Sequence, residues 1–160
     1  VSIRRQFFLD TGLFEEEISE YGLEDLEMGY RLFKNGAQFA YGREAVSYHN
    51  HDYQLQDVLE RVGISGERSV PIILRKHPEL KKTLRLDLLE PVSLRTDNPA
   101  AAMLKLVLAL CLRKRVYLRV NHLVGKWTGP YLPSLVFDYL IFYNRAAGFR
   151  RAEISNQHQK

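Results

Sequence analysis

Two glycines, Gly22 and Gly36, frame the most constrained stretch of this chain. Between them Leu26, Tyr30 and Phe33 recur on one helical face, with Leu32 alongside. Gly36 stands where a helix takes its C-terminal cap. Glu24 and Asp25 stand two and three residues after Gly22, so they fall in a first turn, where free N–H groups and the helix dipole favour negative charge. Glu27 and Arg31 are four apart in the favourable order and can pair along the helix surface. A segment punctuated in this way turns sharply, runs as one short amphipathic helix and turns sharply again.

The flanking pattern is less uniform. Residues 2–9 read as a strand or short helix ending at Asp10-Thr11-Gly12, and Phe14-Glu15-Glu16-Glu17-Ile18 as an acidic loop or single helical turn, closed by Tyr21-Gly22. Residues 37–41 and 45–48 are predicted as extended pieces around a turn at Gly42-Arg43-Glu44. Leu55, Val58, Leu59 and Val62 predict a helix over 54–62, and a second is predicted over 69–75, with Pro71 in its first turn and His77-Pro78 after it. Pro91 and Asp97-Asn98-Pro99 mark a linker. Beyond it, 100–123 and 132–147 are predicted as helices. The expected plan is a mixed α/β front part, 1–90, and an all-helical extension, 91–160, with no internal repeat.

With 160 residues, 26% of them charged, the composition is that of a globular chain rather than a disordered one. The net charge of +4 is modest and gives no reason to expect a nucleic-acid partner. Its basic excess gathers in the second half, at Arg113-Lys114-Arg115 and Arg150-Arg151. That pattern fits a solvated helix face, or a surface that meets anionic lipid or phosphate. Lys126-Trp127 with Tyr131, Tyr139 and Tyr143 likewise suits either a membrane interface or a core. Cys111 is the single cysteine. It excludes an intrachain disulfide, fits a reducing compartment and is expected in the core. The longest apolar stretch, 104–112, is interrupted by Lys105 and falls far short of the ~20 residues a membrane span needs. No signal-peptide pattern stands at Val1. The expected location is cytoplasmic, with a peripheral position at the inner face of the membrane as the variant.

Two groups of residues can carry chemistry. Glu24 and Asp25 point in different directions from a helix start, so one can deprotonate a substrate while the other positions it; an ordinary cap and acidic first turn use the same residues. His49 and His51 are two apart. In an extended segment they face the same side about 7 Å apart, within reach of one divalent ion. Two histidines do not complete a site, and a His-Asn-His loop end is common. A small metallohydrolase built on His49, His51 and Asp25 is a further option.

In combination these residues resemble a known pattern. Ile3-Arg4-Arg5, Asp10-Thr11-Gly12-Leu13-Phe14-Glu15-Glu16, the run Gly22-Leu23-Glu24-Asp25-Leu26-Glu27-Met28-Gly29-Tyr30-Arg31-Leu32, Lys34-Asn35-Gly36 and Glu44-Ala45-Val46-Ser47-Tyr48-His49 follow one another. Their order and spacing resemble the acceptor-side half of the catalytic domain in family 2-type inverting glycosyltransferases of the GT-A fold. The resemblance covers about a third of the chain. It implies an α/β, helix-rich, incomplete GT-A (nucleotide-diphospho-sugar transferase) fold with C-terminal helices. It also implies a hexosyltransferase-like activity, in which a sugar passes from a nucleotide-sugar donor to a carbohydrate or lipid-linked acceptor, as in polysaccharide biosynthesis. In such enzymes the acid at Asp25 is the general base and that at Glu24 hydrogen-bonds the acceptor. The histidine at His49, with His51 as a second ligand, helps hold Mn2+ or Mg2+ at the leaving diphosphate. Gly22, Arg4 and Arg5 fall on the substrate side; Arg4 and Arg5 are equally suited to pairing with the acidic loop.

The chain departs from the pattern in having Leu13 where a second glycine is commoner, and Glu15-Glu16 where Asp-Glu is usual. It also has no Asp-x-Asp and no Gly-rich loop after a strand. The nucleotide-binding N-terminal half is therefore expected outside these residues, and the chain is expected to be inactive without it. The competing expectation is a non-catalytic helical interaction or membrane-surface module that keeps a relic motif.

Overall fold

In the computed structural model, residues 2–20, 22–48, 50, 52–93, 95–129 and 131–158 are described, and they form helices and coil with no strand among them. Along the chain come α1 (Arg5–Asp10), α2 (Glu24–Lys34), α3 (Leu55–Lys76), α4 (Leu80–Thr83), a 3₁₀ turn at Leu86–Leu89, α5 (Pro99–Cys111), α6 (Lys114–Gly125) and α7 (Ser134–His158).

The longest packing interface is between α3 and α7, and glycine makes it possible. A Cβ on Gly66 would stand 2.3 Å from the Arg145 carbonyl oxygen, and one on Gly148 would stand 2.1 Å from that of Gly63. No side chain fits there, so the two backbones touch. This explains two departures from the sequence pattern. Residues Leu55–Lys76 form one helix rather than two, because Gly63 and Gly66 are contact surface instead of breaks. Pro71 removes one helical hydrogen bond, yet Ser69, Val70 and Ile73 around it are buried and hold the helix through it. Likewise α7 runs on to His158, ten residues past Gly148 by number, because that glycine is packed rather than turned. At the front of α3 the Gln54 side chain and Asp57 form a reciprocal capping box.

The core lies on α3 and the residues that wrap it. Val70, Leu84, Leu86 and Phe149 form one buried cluster; Ile18, Ile73 and Leu80 form another. Leu23 and Leu26 pack against both, so the start of α2 is fixed to the centre of the molecule. At its other end α2 stops as expected. Gly36 has φ +85°, its N–H donates to the Phe33 carbonyl (3.0 Å) and that of Ala37 to Leu32 (2.9 Å), the two hydrogen bonds of a Schellman cap.

Residues 37–41 and 45–48 are exposed coil rather than strands. A strand needs a neighbour for its backbone groups, and none lies alongside among the described residues; Tyr41 and Tyr48 are more than nine-tenths exposed. The predicted helix over 100–123 is two helices broken at Leu112-Arg113, where no glycine or proline stands. The break is tertiary. Leu112 is buried, Tyr139 of α7 donates its hydroxyl to the Cys111 carbonyl (2.8 Å), and Tyr117 of α6 stacks flat on Tyr143 at 3.9 Å between centroids. Cys111 itself is partly buried rather than in the core.

Candidate active site

Gly22 (φ +99°) and Leu23 (φ +77°) are two consecutive left-handed residues that deliver the chain into α2. For leucine that conformation costs about 1–2 kcal/mol, offset by the packing of Leu23 into both core clusters. The first helical bond runs from the Glu27 N–H to the Leu23 carbonyl (3.0 Å). Leu23 has no side-chain oxygen to cap the helix, and neither Glu24 nor Asp25 caps it in its place. Asp25 is exposed and makes no hydrogen bond among the described residues. Glu24 is half-buried; its Oε2 is enclosed and has no partner there, although buried polar atoms are almost always paired. The carboxylates that could have served as a cap therefore do no such work.

Beneath them lies a carboxylate with a structural task. Glu27 is fully buried. Its two oxygens take Arg31 Nε (2.7 Å) and an Arg31 terminal nitrogen (2.9 Å), and Oε1 also meets His77 Nε2 at 3.1 Å. The expected Glu27–Arg31 pair is thus present, and it reaches further. The Arg31 guanidinium also donates to the carbonyls of Thr11 (2.6 Å) and Leu13. Leu13, standing where a second glycine is commoner in the resembled family, has φ +60° and so keeps the left-handed turn a glycine would adopt. The pair locks that turn onto α2.

His77 carries no local sequence signal for this role; only the fold brings it to Glu27, with its ring edge-on to Tyr30 at 5.1 Å. Tyr30 donates to Glu79 (2.6 Å), which also accepts from Lys34 (3.1 Å). The Tyr30 hydroxyl foremost, then a backbone N–H and Lys34, pull the Glu79 carboxyl down to about 2.

The acidic loop before α2 is pinned to α3. Lys76 binds Glu15 and Glu17, Arg75 binds Glu17 and Arg68 binds Glu20. Hydrogen bonding to Lys76 is the main force holding the Glu15 and Glu17 carboxyls below their ordinary value. The loop's partners therefore come from α3, whereas Arg4 and Arg5 are exposed outside it. A shallow depression of about 120 Å³, lined by Ile18, Arg68, Ser69 and neighbours, lies on this side and does not include Glu24 or Asp25.

His49 and His51 lie outside the described residues, as does Tyr21. Among the described residues no group of three or more His, Cys, Asp or Glu is arranged to hold a metal ion. Gly22, Glu24 and Asp25 are thus brought together at one helix start, with Arg4 and Arg5 at the entrance to α1.

No protein-family model matches the chain, and no solved structure matches it. A protein of Bacillus subtilis (strain 168) named "Uncharacterized glycosyltransferase YfnE" is 44% identical over 48 residues, 30% of this chain and 12% of that protein. The chondroitin synthase of Escherichia coli is 26% identical over 87 residues, 51% of this chain and 13% of the synthase. These matches support a glycosyltransferase family. They span only about an eighth of either relative's length.

Proposed function

We propose that this chain is the acceptor-side half of an inverting glycosyltransferase of the GT-A type. Its partner is a nucleotide-sugar-binding half contributed by residues beyond these, and its acceptor a carbohydrate or lipid-linked hydroxyl. The observation that carries this reading is the pair of carboxylates at the start of α2. Asp25 is exposed and Glu24 holds an unpaired, enclosed oxygen, while the structural work of the segment is done by Glu27 and Arg31. Relatedness to proteins named for glycosyl transfer supports it.

In this mechanism Asp25 takes the proton of the acceptor hydroxyl as its oxygen attacks the anomeric carbon. The bond from that carbon to the diphosphate breaks, and the configuration inverts. An alcohol is a weak nucleophile, so a base within hydrogen-bond reach lowers the barrier. Glu24 accepts a hydrogen bond from the acceptor and orients it. Gly22 supplies the turn that presents the two acids, because its φ of +99° is one that L side chains rarely adopt. Arg4 and Arg5 face the diphosphate or the acceptor. A divalent cation, held by His49 and His51 with groups beyond this chain, would neutralise charge on the leaving diphosphate. The described residues alone do not make that metal site, and no step here depends on it.

The test is product stereochemistry combined with a Glu24→Gln variant, in a protein that joins this chain to its nucleotide-binding half. Proton NMR of the first product should show inversion at the anomeric carbon. Glu24→Gln should raise the acceptor KM about tenfold and leave the donor KM alone, the loss of roughly one charge-assisted hydrogen bond. Retention of configuration would contradict the proposal.

A further inference from the structure

Helix α5 is built inside out. Its one charged side chain, Lys105, points inward, buried, with its ammonium 2.9 Å from both oxygens of Asp97. The opposite face carries Met103, Leu106, Val107 and Leu110, each roughly half to two-thirds exposed. A solvent-facing helix side normally carries the polar residues, and here it carries none. The same exposure of apolar side chains continues through Leu118 and Leu123 of α6 to Trp127, Tyr131 and Leu135.

Charge separates the occupants open to such a face. Between Asp97 and Asp138 the sequence has no acidic residue. Apart from the internally paired Lys105, its cations Arg113, Lys114, Arg115, Arg119 and Lys126 are all exposed. On α6 the stacking of Tyr117 on Tyr143 turns that residue toward α7. Helical geometry then places Arg115 and Arg119 on the side away from α7, flanked by Leu118 and Leu123. A second copy docked on the same face would bring two such cationic sets together. A surface both apolar and anionic satisfies the leucines and the cations at once. No helix among the described residues is long and apolar enough to cross a membrane, so the contact is one of lying on the surface.

We propose that α5 and α6 form a docking surface for an anionic lipid bilayer. The apolar side of α5 enters the headgroup–acyl boundary, the α6 cations meet the lipid phosphates, and Trp127 and Tyr131 sit at the interface. This surface is independent of the carboxylates at the start of α2.

Co-sedimentation of the 160-residue chain with vesicles of phosphatidylglycerol and phosphatidylcholine, against phosphatidylcholine alone, tests it. Binding should require the anionic lipid and weaken with added salt. The double variant Arg115→Glu, Arg119→Glu should lower the partition coefficient at least 25-fold, about fivefold for each cation lost. Leu106→Glu with Leu110→Glu should abolish binding while circular dichroism stays unchanged, since both positions are exposed. Arg43→Glu, an exposed cation elsewhere, should have no effect. Equal binding to neutral vesicles, or none to either, would overturn the proposal. So would self-association lost in Leu106→Glu but indifferent to lipid, which would give the face to a second copy.

Discussion

Three carboxylates within four positions of one helix start have three different fates. Asp25 is exposed, Glu24 is enclosed on one oxygen without a partner, and Glu27 is buried in a fork from Arg31. Removing the Arg31 partner should therefore be costly. Arg31→Ala leaves a buried carboxylate with only His77, and frees the Thr11 and Leu13 carbonyls as well. The expected loss is about 3 kcal/mol, the low end for breaking one side of a buried pair, read as a shift in the urea midpoint at constant m. A change below 0.5 kcal/mol would mean the pair contributes nothing. Much of this was legible from residues four apart: the Glu27–Arg31 pair follows from helical spacing alone. The burial of Glu27 and the approach of His77 were not, because they depend on where α3 ends, fifty residues later.

At the level of elements, salt links and close backbone contact do different work. The acidic loop is held to α3 by Lys76, Arg75 and Arg68, and α2 to the start of α4 by Tyr30 and Lys34 on Glu79. Glu15, Glu17 and Glu79 all have folded pKa values below their ordinary 4.5. The sign is that of depressed carboxyls: the contribution is complete above about 4.5 and is lost as pH falls through the folded values. For Glu79 that window runs from 4.5 to about 2. The protection of residues 15–20 relative to intrinsic amide exchange should fall across this acid range, while residues of α3 facing α7 stay protected. Uniform loss of protection over both would show that the links do not act locally. The α3–α7 contact should instead respond to volume. Gly148→Ala must push the helices apart, since its Cβ would meet the Gly63 carbonyl oxygen at 2.1 Å. An overpacking cost of about 1–3 kcal/mol is expected, visible in the melting temperature. Gly36 read correctly as a cap because a glycine after a periodic run has a local meaning. Gly63, Gly66 and Gly148 did not show their role, since a glycine used for contact looks in sequence like a glycine used for a break. The split at Leu112-Arg113 had no local signal either, being made by Tyr139 and Tyr143 from another helix.

The molecule as a whole exposes 12533 Å², against roughly 8,200 Å² expected for a compact folded monomer of its 18.6 kDa mass. The excess is visible in the unpaired segment 37–48 and on α5. The resemblance to the GT-A enzymes places strands in that segment, and strands need neighbours that these residues do not supply. On the proposed reading, the nucleotide-binding half provides that neighbour. Residues 37–48 should then gain slow amide exchange when the two halves are joined, and stay fast in the 160-residue chain. The helix-rich character and the C-terminal cap of α2 were open to sequence reading. The loss of strands was not, because pattern reports what a segment favours and only a partner decides whether it forms.

On the proposed reading Asp25 is the base that takes the acceptor's proton. Steady-state transfer by Asp25→Asn, in a protein carrying both halves of the domain, tests it most directly. The substitution keeps shape and exposure but cannot take a proton. With Asp25 as the base, kcat falls about 10²- to 10⁴-fold with both KM values and vesicle binding nearly unchanged. Turnover equal to that of the unaltered protein would contradict it.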